Sequence, residues 1–267
     1  QALGLRPEEA AGNSATRARL RIPLRDDLGL AQIGFSAAVN LADLALARMP
    51  GGYTLHDGAF TLMAEQSGLQ LSGRGSVNGV PLNLSWKREF QPARDAPGDH
   101  LTVHGKMTPA HMQALGMPPL PRLRGVVDMA VSIDAYDDGT RRGAGRFDLT
   151  AAAVDLNEIG WRKPNAAPAT MNLTFQTGAN GEIQIDHWDI LAGGLAARGS
   201  AKLDPQASLV SLRSDNFTLG ATTLAVDLRA LFHGGYRLDL KGPSLDARAF
   251  MPHWQGVTAT GEEPSLE

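Results

Sequence analysis

The stretch Leu69-Gln70-Leu71-Ser72-Gly73-Arg74-Gly75-Ser76-Val77-Asn78-Gly79-Val80-Pro81-Leu82-Asn83-Leu84-Ser85-Trp86 decides the fold class. Leu69, Leu71 and Gly73 alternate with Gln70, Ser72 and Arg74. Past Asn78-Gly79, Val80, Leu82, Leu84 and Trp86 alternate with Pro81, Asn83, Ser85 and Lys87. Period-two alternation is the mark of a strand with one apolar and one polar face. An Asn-Gly pair between two such runs predicts a tight hairpin, because both turn positions need positive φ.

The same grammar runs outward in both directions. Leu101, Val103, Gly105 and Met107 form one run, and Val127, Met129, Val131 and Ile133 another, which leads into a turn at Asp137-Asp138-Gly139. Phe147, Leu149 and Ala151 follow, then Met171, Leu173 and Phe175. Asn180-Gly181 turns the chain into Ile183 and Ile185. Trp188 and Ile190 then imply a phase change near His187, as a β-bulge would produce. Leu195 to Leu203, Val210 with Leu212, Phe217 with Leu219, Leu224 to Leu228 and Tyr236 to Leu240 complete the series. Roughly fifteen strands at this spacing predict an all-β architecture, mostly antiparallel. Thr108-Pro109 predicts a short helix through Leu115 that stops at Gly116. Ala37 to Met49 fits either a helix, by its alanines, or a strand. A loose unit of apolar residues around Gly recurs at Leu69–Val77, Leu101–Met107 and Leu195–Leu203, without the fixed spacing of a solenoid.

Composition agrees. The 267 residues include 30 glycines and 16 prolines, a turn-rich balance that suits many short elements. The net charge of −3 gives no whole-chain drive toward nucleic acid. Zero cysteines remove disulfides, thiolate metal sites and Cys nucleophiles. No apolar run reaches the 18 or so residues of a membrane-spanning helix. The chain opens at Gln1-Ala2-Leu3, with neither an initiator Met nor a leader pattern, and reads as a fragment of something larger. The expected layout is a flexible end over residues 1–15, β-sections over 16–121 and 122–255 divided at the proline-dense Met117–Pro121, and a disordered end over 256–267.

Catalytic and metal-binding constellations are missing from the sequence, so no enzyme, metal or cofactor is expected. Gly73-Arg74-Gly75-Ser76-Val77-Asn78 lacks the third glycine of a dinucleotide loop and leads to a strand. Asp134, Tyr136, Asp138 and Gly139 imitate the start of a calcium loop, but Tyr136 occupies a ligand position and Gly145 stands where the bidentate Glu belongs. The histidines are His56, His100, His104, His111, His187, His233 and His253. His100 and His104 share a strand face, about 13 Å apart, too far for one zinc. Asp186, His187 and Asp189 read as an outward-facing polar edge, and Arg141-Arg142 as a solvated turn.

A sheet with one consistently apolar face must put that face somewhere. Two such faces bury each other in a closed sandwich, whereas an open, curled sheet leaves a groove that needs an apolar guest.

Four segments resemble the AsmA-like superfamily, in particular its large YhdP-type branch. They are Arg146-Phe147-Asp148-Leu149-Thr150-Ala151-Ala152-Ala153, Gly160-Trp161-Arg162-Lys163-Pro164, Gly194-Leu195-Ala196-Ala197-Arg198-Gly199-Ser200-Ala201, and Gly235-Tyr236-Arg237-Leu238-Asp239-Leu240-Lys241-Gly242 with Leu245-Asp246. The hairpin Leu69–Trp86 is similar as well. The resemblance implies a long curled β-sheet forming a taco-like hydrophobic groove, with one or two short helices. It implies a periplasmic protein anchored to the inner membrane by a segment outside this chain. Its function would be to guide phospholipid toward the outer membrane without covalent chemistry. Partners would be phospholipid acyl chains, other sections of the same longer protein and envelope proteins at either membrane. The expected lining residues are Leu71, Leu82, Leu84, Val103, Val131, Phe147, Leu149, Leu173, Phe175, Leu195, Leu224, Val226 and Leu238. The alternative is a structural, partner-binding scaffold in the cell envelope whose core is closed.

Overall fold

A computed structural model describes residues 9–22, 34–117, 119–231, 234–246 and 248. The N-terminal strands are β1 (Ala10–Arg21), β2 (Gly34–Leu46), β3 (Leu55–Glu65), β4 (Gly68–Val77), β5 (Val80–Glu89) and β6 (Asp99–Met107). After helix α1 (Pro109–Ala114) come β7 (Leu123–Gly125), β8 (Val127–Ala135), β9 (Arg141–Asp148), β10 (Ala152–Leu156) and β11 (Trp161–Lys163). The last strands are β12 (Ala169–Thr177), β13 (Ile183–Ala192), β14 (Leu195–Leu203), β15 (Leu209–Leu219), β16 (Thr222–Ala230) and β17 (Tyr236–Ser244).

Fourteen of these strands form one antiparallel sheet in the order β1-β2-β3-β4-β5-β6-β8-β9-β12-β13-β14-β15-β16-β17. Strands β11-β10-β7 form a separate three-stranded sheet. Each strand of the large sheet pairs with the next one available along the chain, so the sheet is a meander. This is the cheapest topology for many short strands joined by tight turns.

Local chemistry sets the turns. Asn78 and Gly79 both take positive φ, at 48° and 81°, between β4 and β5. The Asn78 side chain accepts from Thr54 N at 2.8 Å and donates to Ala114 O at 2.9 Å, which ties the hairpin to the end of α1. In α1, Thr108 Oγ1 caps the His111 N–H at 3.2 Å and Pro109 occupies the first turn. The phase change near His187 is a bulge: β13 shifts register against β12 between Thr174 and Phe175, and against β14 between Ile185 and Trp188.

Several expectations need correction. Of Ala37 to Met49, the part through Leu46 is strand, because β2 is paired on both sides, by β1 and β3, and tertiary pairing overrides the helix preference of alanine. β1 begins at Ala10, within the end expected over residues 1–15. The alternation through Phe147, Leu149 and Ala151 is not one strand. β9 ends at Asp148, whose carboxylate accepts the Thr150 N–H at 2.8 Å and turns the chain into the small sheet. Val210 with Leu212 and Phe217 with Leu219 belong to a single strand, β15, whose register against β16 shifts between Ser214 and Phe217. The end at 256–267, His233 and His253 lie outside the described residues.

The largest correction concerns the shape of the sheet. The all-β, antiparallel class with a short helix is what forms, but the curled, taco-like groove is not. The sheet is open, with β1 at one end and β17 at the other and no pairing between them. Every residue of both end strands is exposed, with Leu20 at 60% and Leu238 at 55%. A wall curling round to face either end would shade these side chains.

Candidate functional site

Directly paired residues of an antiparallel sheet share a face, so register converts alternation into rows. One row runs Leu71, Trp86, Leu101, Ile133, Gly143, Phe175, Ile185, Ala201, Leu212, Leu228 and Leu238. The next contains Leu84, Val103, Val131, Gly145, Leu173, Trp188, Gly199, Ser214 and Val226. A third carries Met129, Phe147, Met171, Ile190, Ala197, Phe217 and Leu224, with Leu82 two residues before Leu84 on β5. Leu195 lies two residues before Ala197. Leu149 sits just past the end of β9, its N–H donated to Ala169 O. The expected lining residues therefore share one apolar face.

That face is not an unfilled trough. Toward the N-terminal half, Val80, Leu82, Met107, Val127 and Met129 are buried in a cluster with Met112 of α1 and Ala152 of the small sheet. The chain covers this section itself. Further along, aromatic rings of β9 and the neighbouring β12 lie over glycines of β9. A Cβ at Gly143 would collide with the Phe175 ring, and one at Gly145 would come within 2.9 Å of Phe147 Cε2. Aromatic rings that fill glycine gaps level the surface. The expectation that acyl chains are guided along a continuous apolar channel, and phospholipid carried between membranes by it, is accordingly overturned: among the described residues the sheet has no second wall, and its best-packed section is occupied by the protein.

The opposite face is polar. His100 Nδ1 lies 2.5 Å from Asp134 Oδ1, across the β6–β8 pair. His187 Nε2 lies 3.3 Å from Asp189 Oδ1, while Gln176 and Gln184 both donate to Asp186. Arg142 stacks over the Tyr136 ring at 5.1 Å. Asp138 accepts the N–H and hydroxyl of Thr140, and these two bonds hold its carboxyl below the usual range; this closes the turn that imitated a calcium loop. Among the described residues no group of His, Asp or Glu is placed to hold a metal ion, and no helix is long and apolar enough to cross a membrane.

The small sheet escaped the sequence reading, although Arg122-Leu123-Arg124 and Trp161-Arg162-Lys163 carried its alternation. Leu123, Val154 and Lys163 point inward, paired across the three strands. Lys163 is 3% exposed and donates to Ala152 O at 2.6 Å, Pro164 O at 3.1 Å and Thr150 O at 3.4 Å. Burial pushes its pKa below the ordinary lysine value, opposed by the charge of Asp148. Trp161 donates its indole N–H to Gly193 O at 3.1 Å, which fastens the small sheet to the β13–β14 turn.

No family model, curated protein or solved structure matches the chain.

Proposed function

We propose that this chain is a non-catalytic β-scaffold of the cell envelope, one section of a longer antiparallel sheet that continues by strand addition at its edges. The partner is another section of the same meander, a further antiparallel strand hydrogen-bonding to β1 or β17. The observation that carries the reading is the pair of long edges, 12 residues in β1 and 9 in β17, exposed along their whole length and with no further strand paired to them among the described residues. An unpaired edge offers a row of N–H and C=O groups, and natural proteins usually shorten, cover or pair it. The meander supports the same partner, because each internal strand already accepts its neighbour in that antiparallel sense. The periplasmic placement and the AsmA-like kinship rest on the motif resemblance at Arg146–Ala153, Gly160–Pro164, Gly194–Ala201 and Gly235–Gly242.

Hydrogen exchange tests it. Amides of β1 and β17 should exchange rapidly in the isolated chain and become protected in the native, full-length protein. Equally fast exchange at both edges in the native protein overturns the proposal.

A further inference from the structure

Edge strand β1 reads Ala-Ala-Gly-Asn-Ser-Ala-Thr-Arg-Ala-Arg-Leu-Arg, with three arginines and no carboxylate. Arg17, Arg19 and Arg21 occupy alternate positions, so the period of two sets them on one side of the strand, about 7 Å apart. Register assigns that side to the polar face, because Arg17 pairs with Ala38 and the same row continues through Met63, Gln70 and Lys87. The residues opposite the three arginines on β2 are Ala38, Ser36 and Gly34, none of them charged. The first carboxylate further along these rows is Glu65, two strands in and roughly 10 Å away. Among the described residues no side-chain hydrogen bond or ion pair holds any of the three guanidiniums.

The other end of the sheet is arranged differently. On β15, β16 and β17, Arg213, Arg229 and Arg237 each pair with an aspartate two residues away, at 2.9, 2.8 and 3.2 Å. This contrast bears on what can lie beside β1. Fourteen antiparallel strands make the first and the last run in opposite senses, so β17 of a second copy could extend the sheet at β1. Its polar side would bring Arg237 and Lys241 against the arginine row, with Asp239 already bonded to Arg237. Like charges placed opposite each other across a strand pair are destabilising. The row therefore repels a second copy and favours a strand of the opposite sign.

We propose that the β1 edge takes a strand in which carboxylates alternate with apolar residues, the acidic side chains lying opposite Arg17, Arg19 and Arg21. Alternate residues of an added strand recur at the same spacing as the arginines, so each guanidinium meets one carboxylate in register. The apolar half of the pattern comes from the other face, where Leu20 pairs with Phe35 and the two are 60% and 44% exposed. An anionic lipid surface would meet the arginines but leave the outward N–H and C=O groups of β1 unpaired, and a strand satisfies both. This inference rests on the strand-addition reading above and gives that partner its sequence pattern.

The experiment titrates the intact chain with labelled ten-residue peptides in which valine alternates with glutamate, glutamine or lysine. Anisotropy reads affinity, and hydrogen exchange reads protection of the β1 amides. The glutamate peptide should bind tightest, protect β1 and weaken as salt is raised. Arg19→Gln should weaken it about threefold, the order of one opposite-charge cross-strand pair, and the triple variant Arg17→Gln, Arg19→Gln, Arg21→Gln roughly 30-fold. Arg213→Gln, on an internal strand, should bind as the parent does, with far-UV circular dichroism confirming the fold of each variant. Equal protection of β1 by all three peptides overturns the charge pattern and leaves strand addition standing, whereas protection by none of them counts against both. Binding of the glutamate peptide without protection of β1, or flotation of the chain with phosphatidylglycerol vesicles in the absence of peptide binding, makes the row a general anion surface and overturns the proposal.

Discussion

The section from β3 to β9 and the section from β12 to β17 are made by the same alternation, yet they end in different states. In the first, α1 and the strand β10 lie against the apolar cluster, so that Val80 is 0% exposed and Met107 and Val127 are 1% exposed. In the second, the small sheet reaches only the β13–β14 turn by a side-chain hydrogen bond, through the Trp161 indole on Gly193 O, among the described residues. Leu195, Leu224, Ala197 and Ala201 are buried there, and exposure rises to 55% at Leu238. Period-two patterning decides which way a side chain points. Whether that side is covered depends on excursions of the chain between strands, and these occur at 108–122 and 149–168, both in or next to the first section. A covered face removes apolar area from water, worth about 25 cal/mol per Å². A face shielded only by its neighbours removes much less.

The widest expected gap between the two sections lies in truncation of leucines. Leu82→Ala opens a cavity in the covered cluster and should cost about 2–5 kcal/mol. Leu238→Ala removes a side chain that already faces water and should stay within about 0.5 kcal/mol. Urea denaturation of both variants reads the difference. A comparable loss at Leu238 would mean that the second section is covered after all, and the contrast would fail.

Backbone approach sharpens the comparison from within the second section. A Cβ at Gly199 would collide with the carbonyl oxygen of Arg213 on the adjacent strand, whereas nothing stands within 4 Å of one at Gly193 in the β13–β14 turn. Gly199→Ala should cost about 1–3 kcal/mol through strain in the β14–β15 ladder, and Gly193→Ala should be close to neutral in the same denaturation assay. If the two behave alike, the strands at Gly199 are not held at this separation.

The junction between the sections should respond less. Lys163→Met keeps the length of the buried stem but strips the donor from the carbonyls of Ala152, Thr150 and Pro164, at a cost of about 1–3 kcal/mol. The lysine also leaves a signature in pH. Its folded pKa is depressed, so between that value and the unfolded value near 10.5 the unfolded chain holds more protons. Stability of the parent should therefore rise as pH rises through this window, and the slope should be smaller in Lys163→Met. An unchanged slope would place Lys163 in water.

Much of this arrangement was legible in single residues. Asn78-Gly79 announced the β4–β5 hairpin because its conformational demand is local, and Thr108-Pro109 announced α1 for the same reason. The bulge at His187 could be read because a skipped beat in alternation has one physical cause. The small sheet was missed because its outer strands are 3 residues each, too short for a period to show, and because Asp148 redirects the chain where Phe147, Leu149 and Ala151 still alternate. The apolar residues expected to line a groove do share a face. Alternation, however, carries no information about curvature or about what covers a face, and the groove was read from a resemblance. Those depend on strand ends and connections, where propensity is weakest.

The smallest effect separates two kinds of carboxylate, one at the junction and one in the uncovered section. Asp148 is held below the usual carboxylate range first by the side-chain and then by the backbone hydrogen bond of Thr150, and Asp227 mainly by the side-chain hydrogen bond of Arg229. Both folded values lie under the unfolded 3.8, so each contribution is complete above that pH and is lost as pH falls through the folded value. Salt distinguishes them. The Asp227–Arg229 pair is an exposed ion pair and should fade as ionic strength rises, whereas the Asp148–Thr150 bonds join a charge to neutral donors and should be less sensitive. Acid unfolding at low and high salt should therefore show a salt-dependent difference between the parent and Asp227→Asn, and a smaller change with salt for Asp148→Asn. If the two variants respond to salt equally, the turn at Asp148 is held by neighbouring charge rather than by its own hydrogen bonds, and the chain's departure from the large sheet needs a different account.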